Sequence, residues 1–281
     1  MPTVPPNPPS LRRLIVNADD FGRSLSINEA VVRAHREGIL TSASLMVNEP
    51  AWAGAVALAR ENPKLGVGLH LTLVCGKSAL PAGKIPGLVN EQNQFSDRPV
   101  AVGMRYFFNR DLRDQLRVEI HAQFEKFRTT GLPLDHVNGH LHLHLHPAIF
   151  RILMEDAATL GIRHLRLMRE PFWMDVPLAR GNRLTRAKDA VIFFLLSWRA
   201  QSALRRRKIR HTQRVFGLLQ NARVSEEYIL KLLAILPPGN SELYSHPSLD
   251  EFKHELDALV SPRVREGVEQ VGIKLIRYQD L

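Results

Sequence analysis

The stretch LIVNADDFG, residues 14–22, decides the fold because an apolar run typical of a buried strand is followed directly by a pair of acidic residues that could act in a site. Its apolar beginning predicts a strand over about Arg13 to Ala18. The acidic pair Asp19 and Asp20 follows at the end of that strand. A capping box then predicts a helix from about Ser26 through Glu37. A strand, a polar turn and a helix in this order form the unit from which α/β proteins are built.

The rest of the chain continues to alternate strand and helix signals, as expected for a largely parallel sheet or barrel. Further strands are predicted at about residues 42–47, 66–73, 134–141, 163–167, 241–245 and 273–278. Helices are predicted at about residues 51–61, 112–128, 147–160, 225–236, 249–259 and 262–271. We therefore expect a single α/β domain over residues 11–281, with insertions at about 75–103 and 170–215. Residues 1–10, which include five prolines, are expected to form a disordered tail.

Four histidines occupy alternate positions in HLHLHLH, residues 140–146. If the predicted strand continued through them, the four imidazoles would share one face and the three leucines would face the core. One metal ion cannot bind all four, because same-face neighbours on a strand are roughly 6.6 Å apart and imidazole ligands lie within about 2.1 Å of the ion. We expect one or two of these histidines to be ligands and the others to shape the site.

The best chemical candidates all lie at or beyond the carboxyl ends of predicted strands. They are Asp19, Asp20, His70, His140 and His246. In parallel barrels this end is where active sites are assembled. Each candidate also has an ordinary alternative, since an Asp pair can cap a helix and a lone histidine among apolar residues is often a core group.

Composition limits the class of protein. The single cysteine, Cys75, excludes an internal disulfide and a thiolate-based zinc cluster, and it agrees with a reducing compartment. The N-terminal residues lack the basic start and apolar stretch of a signal peptide. No apolar run approaches the ~20 residues that span a bilayer. We expect a cytoplasmic protein that does not cross membranes.

The positive charge of the chain is concentrated in one segment. Between Arg180 and Arg214 there are eleven lysines and arginines and one acid, Asp189, which accounts for the whole net charge of +10. The apolar run from Ala190 to Trp198 lies directly before the basic cluster at residues 205–210.

Three interpretations of this segment remain open from the sequence. Trp198 with Arg205, Arg206, Arg207 and Lys208 suits the headgroup region of an anionic membrane, and would place the protein peripherally at the inner face of the membrane. Alternatively, the segment is a solvated helix whose Phe193, Phe194 and Trp198 pack on the core. Binding to RNA or DNA phosphates is the third interpretation. The third is disfavoured because the charge is confined to one insertion and no nucleic-acid motif accompanies it.

Five short strings give the chain a resemblance to a known family. They are NADDFG (17–22), TSASLMVN (41–48), GLHLTL (68–73), NGHLHLH (138–144) and ELYSHP (242–247). In this order they resemble the YdjC-like carbohydrate deacetylase family. The basic insertion, FGLLQ at 216–220 and the ELYSHP string are most similar to the subgroup associated with hopanoid biosynthesis.

The resemblance implies a metal-dependent N-deacetylase with a distorted (β/α) barrel. It implies Asp20, His70 and His140 as ligands of one divalent ion, with Asp19 as general base and His246 as general acid. One carboxylate with two imidazoles suits zinc and also manganese, cobalt, nickel or magnesium, so the identity of the ion stays open. The implied substrate is an N-acetylated amino sugar, in this subgroup an N-acetylglucosaminyl hopanoid glycolipid.

The resemblance also marks residues around this set. The family usually has Asp-Ser where this chain has Asn138 and Gly139, and Asn138 can form hydrogen bonds but supplies no charge. Arg166 matches a family arginine and is expected to orient a carboxylate. His142 and His144 are expected to face the substrate or support the ligands.

Other functions use similar residues. A chito-oligosaccharide deacetylase acting on free sugars is the first alternative. A basic nucleic-acid-binding protein with incidental histidines is an alternative of another class. A metal-dependent phosphoesterase is also possible in principle, because the same ligand types serve phosphoryl chemistry.

Overall fold

The strands form one parallel sheet that curls into a half-barrel. The computed structural model describes residues 11–171, 183–220 and 222–281. The strands within these ranges are β1 (Arg12–Phe21), β2 (Ser42–Leu45), β3 (Gly66–Leu71), β4 (Val137–Gly139), β5 (Arg214–Phe216), β6 (Gly239–Ser245) and β7 (Lys274–Leu275). Their order in the sheet is β4-β3-β2-β1-β6-β5, with β7 also paired to β1, and every pairing is parallel. The predicted single α/β domain with a distorted barrel is confirmed.

Helices cover the outside of the sheet. They are α1 (Leu25–Glu37), α2 (Trp52–Glu61), α3 (Pro99–Phe108), α4 (Leu112–Thr129), α5 (Pro147–Glu155), α6 (Ala157–Leu160), α7 (Arg183–Arg206), α8 (Glu226–Ile235), α9 (Lys253–Leu259) and α10 (Pro262–Gln270). The central strand β1 is buried from Leu14 onward. Its apolar residues join those of the helices in one continuous core.

Several predicted boundaries need correction. The N-cap of α1 is Ser24, whose hydroxyl accepts from Ile27 N, so the predicted capping box at Ser26 is wrong. Ser26 instead accepts a hydrogen bond from Leu249 N and ties α1 to the loop after β6. The predicted strand at 163–167 is reduced to single bridges from His164 and Leu165, and the predicted helix at 147–160 is divided into α5 and α6.

The predicted strand through the histidines is also wrong. β4 ends at Gly139, opposite Leu71, the last residue of β3, so no neighbouring strand is available beyond that point. Residues His140–Leu145 form a short 3₁₀ segment, in which Leu141 and His142 have positive φ angles of 50° and 57°. The alternate leucines therefore do not share a buried face, since Leu141 is 47% exposed whereas Leu145 is buried.

The two predicted insertions are described to different extents. Within the first, the buried carboxylate of Glu119 on α4 accepts from the backbone N–H groups of Ala79 and Leu80, and burial raises the pKa of this carboxyl. The predicted tail at 1–10 and residues 172–182 of the second insertion lie outside the described residues. Among the helices that the structure describes, none is long and apolar enough to cross a bilayer.

Candidate metal centre

The acidic pair at the end of β1 is shaped by an irregularity in the strand. The register between β1 and β2 shifts between Ala18 and Phe21, and Asp20 has a positive φ of 64°. In a regular strand adjacent side chains point to opposite faces, but a bulge re-aims one of them. Asp19 and Asp20 therefore both approach the imidazole of His70, at 4.0 Å and 3.2 Å respectively. Both carboxyl groups are buried.

Asp20, His70 and His140 lie together as the resemblance implies. His70 Nε2 and His140 Nδ1 lie 3.2 Å and 3.0 Å from Asp20 Oδ1. One potential ligand atom from each of the three residues lies within 4.8 Å of the others, and all three residues are buried. Two ligands at about 2.1 Å from one ion in a tetrahedral arrangement are roughly 3.4 Å apart. The donor set and its spacing therefore fit a divalent metal ion.

The hydrogen bonds of Asn138 indicate which nitrogen of His70 faces this space. Asn138 Nδ2 lies 3.0 Å from Asp19 Oδ1, and an ionised carboxylate only accepts hydrogen bonds. The amide nitrogen must therefore face Asp19, which leaves Asn138 Oδ1 facing His70 Nδ1 at 2.7 Å. His70 then donates from Nδ1, and Nε2 is the ring nitrogen that faces the Asp20 carboxylate, 3.2 Å from Oδ1. A neutral imidazole in this orientation would turn the lone pair of Nε2 toward Asp20, as a metal ion bound by both residues requires.

Asp19 is held by a fully buried arginine. Arg166 Nη1 donates to Asp19 Oδ2 at 2.6 Å, and Nη2 donates to Oδ1 at 3.0 Å. The same guanidinium binds Glu242 at 2.7 Å and lies 4.6 Å from the centre of the Tyr244 ring. Burial alone would raise the pKa of Asp19, but the charge of Arg166, with smaller effects of His70 and His246, holds it well below its usual range. Asp19 is therefore ionised at neutral pH.

His246 lies at the mouth of the site. It lines a cavity of about 420 Å³ together with Asp20, Arg23, Ser24 and Phe252. Its backbone N–H donates to Glu255 Oε2 at 2.5 Å, and its Nδ1 is buried 4.0 Å from the same carboxylate oxygen. The side chain is 27% exposed, so part of the imidazole ring faces the cavity beside Asp20.

The other histidines of the 3₁₀ segment form one wall of the site. His142 Nε2 lies 3.0 Å from the Tyr244 hydroxyl, and its ring contacts Phe193 of α7 edge-on at 5.3 Å. His144 Nε2 lies 2.9 Å from the Arg166 carbonyl oxygen, so it donates its N–H to that oxygen. Burial and the charge of Arg166 lower the pKa of His142 well below the usual value, and burial lowers that of His144 to about 3. Both imidazoles are neutral at physiological pH.

Several residues that complete the site are not predicted from the sequence. They are Asn17, Ser44, Asp135, His136, Glu242 and Tyr244, all of which are buried. Four of them lie inside the strings NADDFG, TSASLMVN and ELYSHP, but no spacing rule identifies them as partners. Arg166, by contrast, was expected to orient a carboxylate, and the structure places it against Asp19.

Together, the half-barrel and the buried Asp-His-His group at the carboxyl ends of its strands define an α/β-barrel protein with a site that could hold a metal ion. The model of the family described as YdjC-like protein matches residues 13–270, and the chain belongs to this family.

Similarity to individual proteins agrees with this assignment. A chitooligosaccharide deacetylase of Serratia marcescens is 31% identical over 95% of this chain and 98% of its own length. A carbohydrate deacetylase of Geobacillus stearothermophilus is 40% identical, but the match spans 56% of this chain and only 62% of that protein. The crystal structure of a putative cellobiose-phosphate cleavage protein from Enterococcus faecalis has the same fold, with a TM-score of 0.74, 24% identity and coverage of 96% of this chain and 99% of that one.

Acid should destabilise the fold through the buried histidines. His144 stays neutral in the folded protein down to a pKa of about 3, whereas an unfolded histidine binds a proton near pH 6.5. The contribution of His144 to the free energy of unfolding is therefore fully present above pH 6.5. It is lost as the pH falls toward 3, by about 1.4 kcal/mol per pH unit. His144→Gln keeps a donor for the Arg166 carbonyl but does not titrate. Urea unfolding between pH 6.5 and pH 5 should show a shallower loss of stability for this variant, and equal slopes would contradict the assignment.

Proposed function

We propose that the protein is a metal-dependent N-deacetylase of N-acetylated amino sugars. The observation that carries this proposal is the buried group of Asp20, His70 and His140 beside Asp19 and His246, on a chain of the YdjC-like family. Relatives named carbohydrate deacetylase and chitooligosaccharide deacetylase support the same activity.

The reaction is hydrolysis of an acetamide. Water adds to the acetyl carbonyl carbon, the C–N bond breaks, and acetate and a free amine leave. A divalent ion held by Asp20, His70 and His140 would acidify a water molecule and polarise the acetyl carbonyl. The remaining requirements are a proton acceptor, a proton donor and a correctly placed substrate.

Asp19 is the proposed proton acceptor. Its Oδ1 accepts from Asn17, Asn138 and Arg166, whereas Oδ2 accepts from Arg166 alone. Oδ2 therefore retains a lone pair for the proton of the attacking water. The low pKa of Asp19 keeps it ionised but makes it a weak base, so the proton does not remain there and passes on easily.

His246 is the proposed proton donor. Its partly exposed ring lines the same cavity as Asp20, and Glu255 Oε2, 4.0 Å from the buried Nδ1, would stabilise a positive charge on the ring. A protonated His246 at this position would transfer a proton to the departing amine nitrogen and so prevent its re-addition to the acetyl group. The neutral wall of His142 and Tyr244 lies between this histidine and α7, where it would contact the sugar.

For the substrate, we propose an N-acetylglucosaminyl hopanoid glycolipid, which requires contact with a membrane surface. Helix α7 carries large exposed apolar side chains: Val191, Ile192, Phe194, Leu195 and Trp198, each 43–69% exposed. The interpretation in which Phe194 and Trp198 pack on the core is thus wrong, and of the three aromatic residues only Phe193 packs against it. Arg205, Arg206 and Lys208 are exposed just beyond this apolar face, whereas Arg207 donates to the Met154 carbonyl.

A second exposed apolar group lies across the 3₁₀ segment from α7. On α3, Val100, Met104, Phe107 and Phe108 are 55–78% exposed. Phe107 contacts the ring of His146, and Phe193 of α7 contacts His142, so the two helices flank the histidine segment. Apolar side chains on both sides of a site, on a helix that carries cationic side chains at its far end, suit an enzyme that takes a lipid-linked sugar from an anionic bilayer.

A chito-oligosaccharide deacetylase is the second candidate. It is favoured by the similarity to the Serratia marcescens protein of that name along nearly the whole chain. The catalytic residues would be the same, and the exposed faces of α7 and α3 would have no role in the reaction.

The roles of Asp19 and His140 can be separated by two variants. Asp19→Asn should retain bound metal but lose about 10²- to 10⁴-fold in acetate release, because an amide oxygen can still accept from Asn138 but cannot take a proton from water. His140→Ala should lose both metal and activity. Metal content by mass spectrometry and acetate release are the measurements, with His254→Ala as the control for loss of an exposed histidine. Metal content near that of the wild type in His140→Ala would contradict the ligand assignment.

The same assay, run with N-acetylglucosaminyl hopanoid and with chitobiose, identifies the substrate. Acetate from the lipid, abolished in Asp19→Asn, supports the glycolipid proposal. Acetate from chitobiose alone would transfer the assignment to free oligosaccharides.

The basic end of α7 should mediate binding to anionic vesicles. Replacing Arg205, Arg206 and Lys208 with glutamine removes three surface charges, each worth about 1 kcal/mol at an anionic surface, so partitioning should weaken by about two orders of magnitude. The control replaces Arg12, Lys64 and Lys274, which are not part of α7 but lie at or near the amino ends of strands, the same end of the sheet at which Arg205 and Lys208 line a cavity with Asn240. Flotation with phosphatidylserine-containing vesicles measures both variants, and equal flotation would overturn the membrane proposal.

A further inference from the structure

A chain of hydrogen bonds runs from the metal-site residues into the core of the half-barrel. Ser44 Oγ on β2 lies 2.9 Å from His136 Nε2, and His136 Nδ1 lies 2.9 Å from Asp135 Oδ2. The three residues are between 0 and 1% exposed. A serine, a histidine and an aspartate in this order resemble the trio of serine hydrolases. Ser44 is enclosed by protein, however, so a substrate cannot reach it and the trio must serve another purpose.

The direction of the first bonds follows from Asp135. Its Oδ1 accepts from the backbone N–H of Gln279 at 3.0 Å. Burial would raise the pKa of Asp135, but the bonds from His136 and Gln279 lower it, so this carboxylate is an acceptor only. The proton of the His136 ring must therefore be on Nδ1.

The bonds around Ser44 agree with this direction. Its oxygen lies 2.9 Å from Asn17 Nδ2 and 2.8 Å from Asn138 Nδ2. Both amides must present nitrogen here, because the same NH₂ groups also donate to Asp19 Oδ1. A hydroxyl oxygen accepts two hydrogen bonds and donates one. Both acceptor positions are occupied, so the Ser44 hydroxyl donates to His136 Nε2, which must be unprotonated.

Asn138 connects Ser44 to the proposed metal ligand His70. With its NH₂ group committed to Ser44 and Asp19, its carbonyl oxygen accepts from His70 Nδ1 at 2.7 Å. His70 Nε2 is then the nitrogen with a free lone pair, and it faces Asp20. An aspartate at position 138 would instead bring a second carboxyl group within about 3 Å of Asp19, so an amide fits these surroundings better.

The His136 ring cannot easily leave this arrangement. The Tyr278 ring stacks on it with centroids 4.4 Å apart. The backbone of β3 also lies close to it, because a Cβ atom added at Gly68 would lie only 2.5–2.6 Å from three ring atoms. The imidazole is thus confined by packing as well as by its hydrogen bonds.

We propose that Asp135, His136 and Ser44 are positioning residues that act together with Asp19 to select the metal-binding nitrogen of His70, because Ser44 and Asp19 both accept from the Asn138 amide and so fix its orientation. This inference rests on the proposed metal site, but the directions of the hydrogen bonds among Asp135, His136 and Ser44 are a property of the metal-free protein. Residues that orient a metal-binding side chain by hydrogen bonds, without binding the metal themselves, typically contribute 10- to 100-fold to metal affinity.

The first test uses the metal-free wild-type protein. Long-range ¹H–¹⁵N correlation spectra of histidine-labelled protein should show His136 protonated on Nδ1 and bare on Nε2. A proton on Nε2 would overturn the proposal. This measurement depends on neither metal nor activity, so it can fail or succeed independently of the proposed deacetylase.

The second test uses the Asp135→Asn variant to reverse the direction of the hydrogen bonds from position 135 to Ser44. The amide oxygen must stay on the Gln279 N–H, so the NH₂ group would face His136 Nδ1 and move the ring proton to Nε2. Ser44 would then face three donors with two acceptor positions, and its bond from Asn138 Nδ2 would be weakened or lost, so that Asn138 would no longer be held with its oxygen toward His70 Nδ1. Titration with Co²⁺, followed by its visible absorption, should show binding that is about 10- to 100-fold weaker.

The matched control is Asp156→Asn, which changes a similar pair, His121 and Asp156 at 2.8 Å, outside the site. It should bind Co²⁺ as the wild type does. Unchanged Co²⁺ affinity in a folded Asp135→Asn variant would overturn the proposal. If that variant does not fold, the Ser44→Ala variant takes its place and is expected to bind Co²⁺ more weakly than the wild type. Unchanged Co²⁺ binding by Ser44→Ala would again contradict the proposal. Failure of the wild type to bind Co²⁺ would overturn the metal site, while the His136 result would still stand.

Discussion

Burial of two adjacent carboxylates at the end of β1 is the constraint on which the rest of the site depends. Removing Asp19 and Asp20 from water is costly unless each charge is compensated. Asp19 is compensated by Arg166 and two amides, whereas Asp20 is paired with the half-exposed Arg23 and lies beside the imidazoles of His70 and His140. Glu242 shares the same fully buried guanidinium. Carboxyl groups thus outnumber guanidinium groups in the centre of the site, and a divalent cation beside Asp20 would restore the balance.

The parallel topology explains why these groups meet. Asp19 and Asp20 end β1, His70 lies near the end of β3, His140 follows β4, and His246 follows β6. Carboxyl ends of parallel strands lie at one edge of the sheet. Residues far apart in sequence therefore converge because of the strand topology. The bulge in β1 then turns both aspartates toward the site.

Much of this was accessible from the sequence, because alternating strand and helix signals and strand-end polar residues depend on local patterns. The failures have physical causes. The strand predicted through HLHLHLH assumed that alternation decides conformation, but β3 ends at Leu71 and leaves nothing for a longer strand to pair with. The partners Ser44, His136 and Glu242 could not be predicted, because their roles arise from contacts between strands and not from spacing along the chain. The exposure of Trp198 was likewise undetermined, since an apolar helix segment can face either the core or a surface.

The central claim is that Asp20, His70 and His140 bind one divalent ion beside Asp19. Its most direct test is anomalous X-ray diffraction from crystals of the protein loaded with Zn²⁺ or Co²⁺, recorded on both sides of the metal absorption edge. A single anomalous peak within about 2.0–2.2 Å of one atom from each of the three side chains is the predicted result. An active, metal-loaded protein with no peak between these residues, or with its ion bound elsewhere, would contradict it.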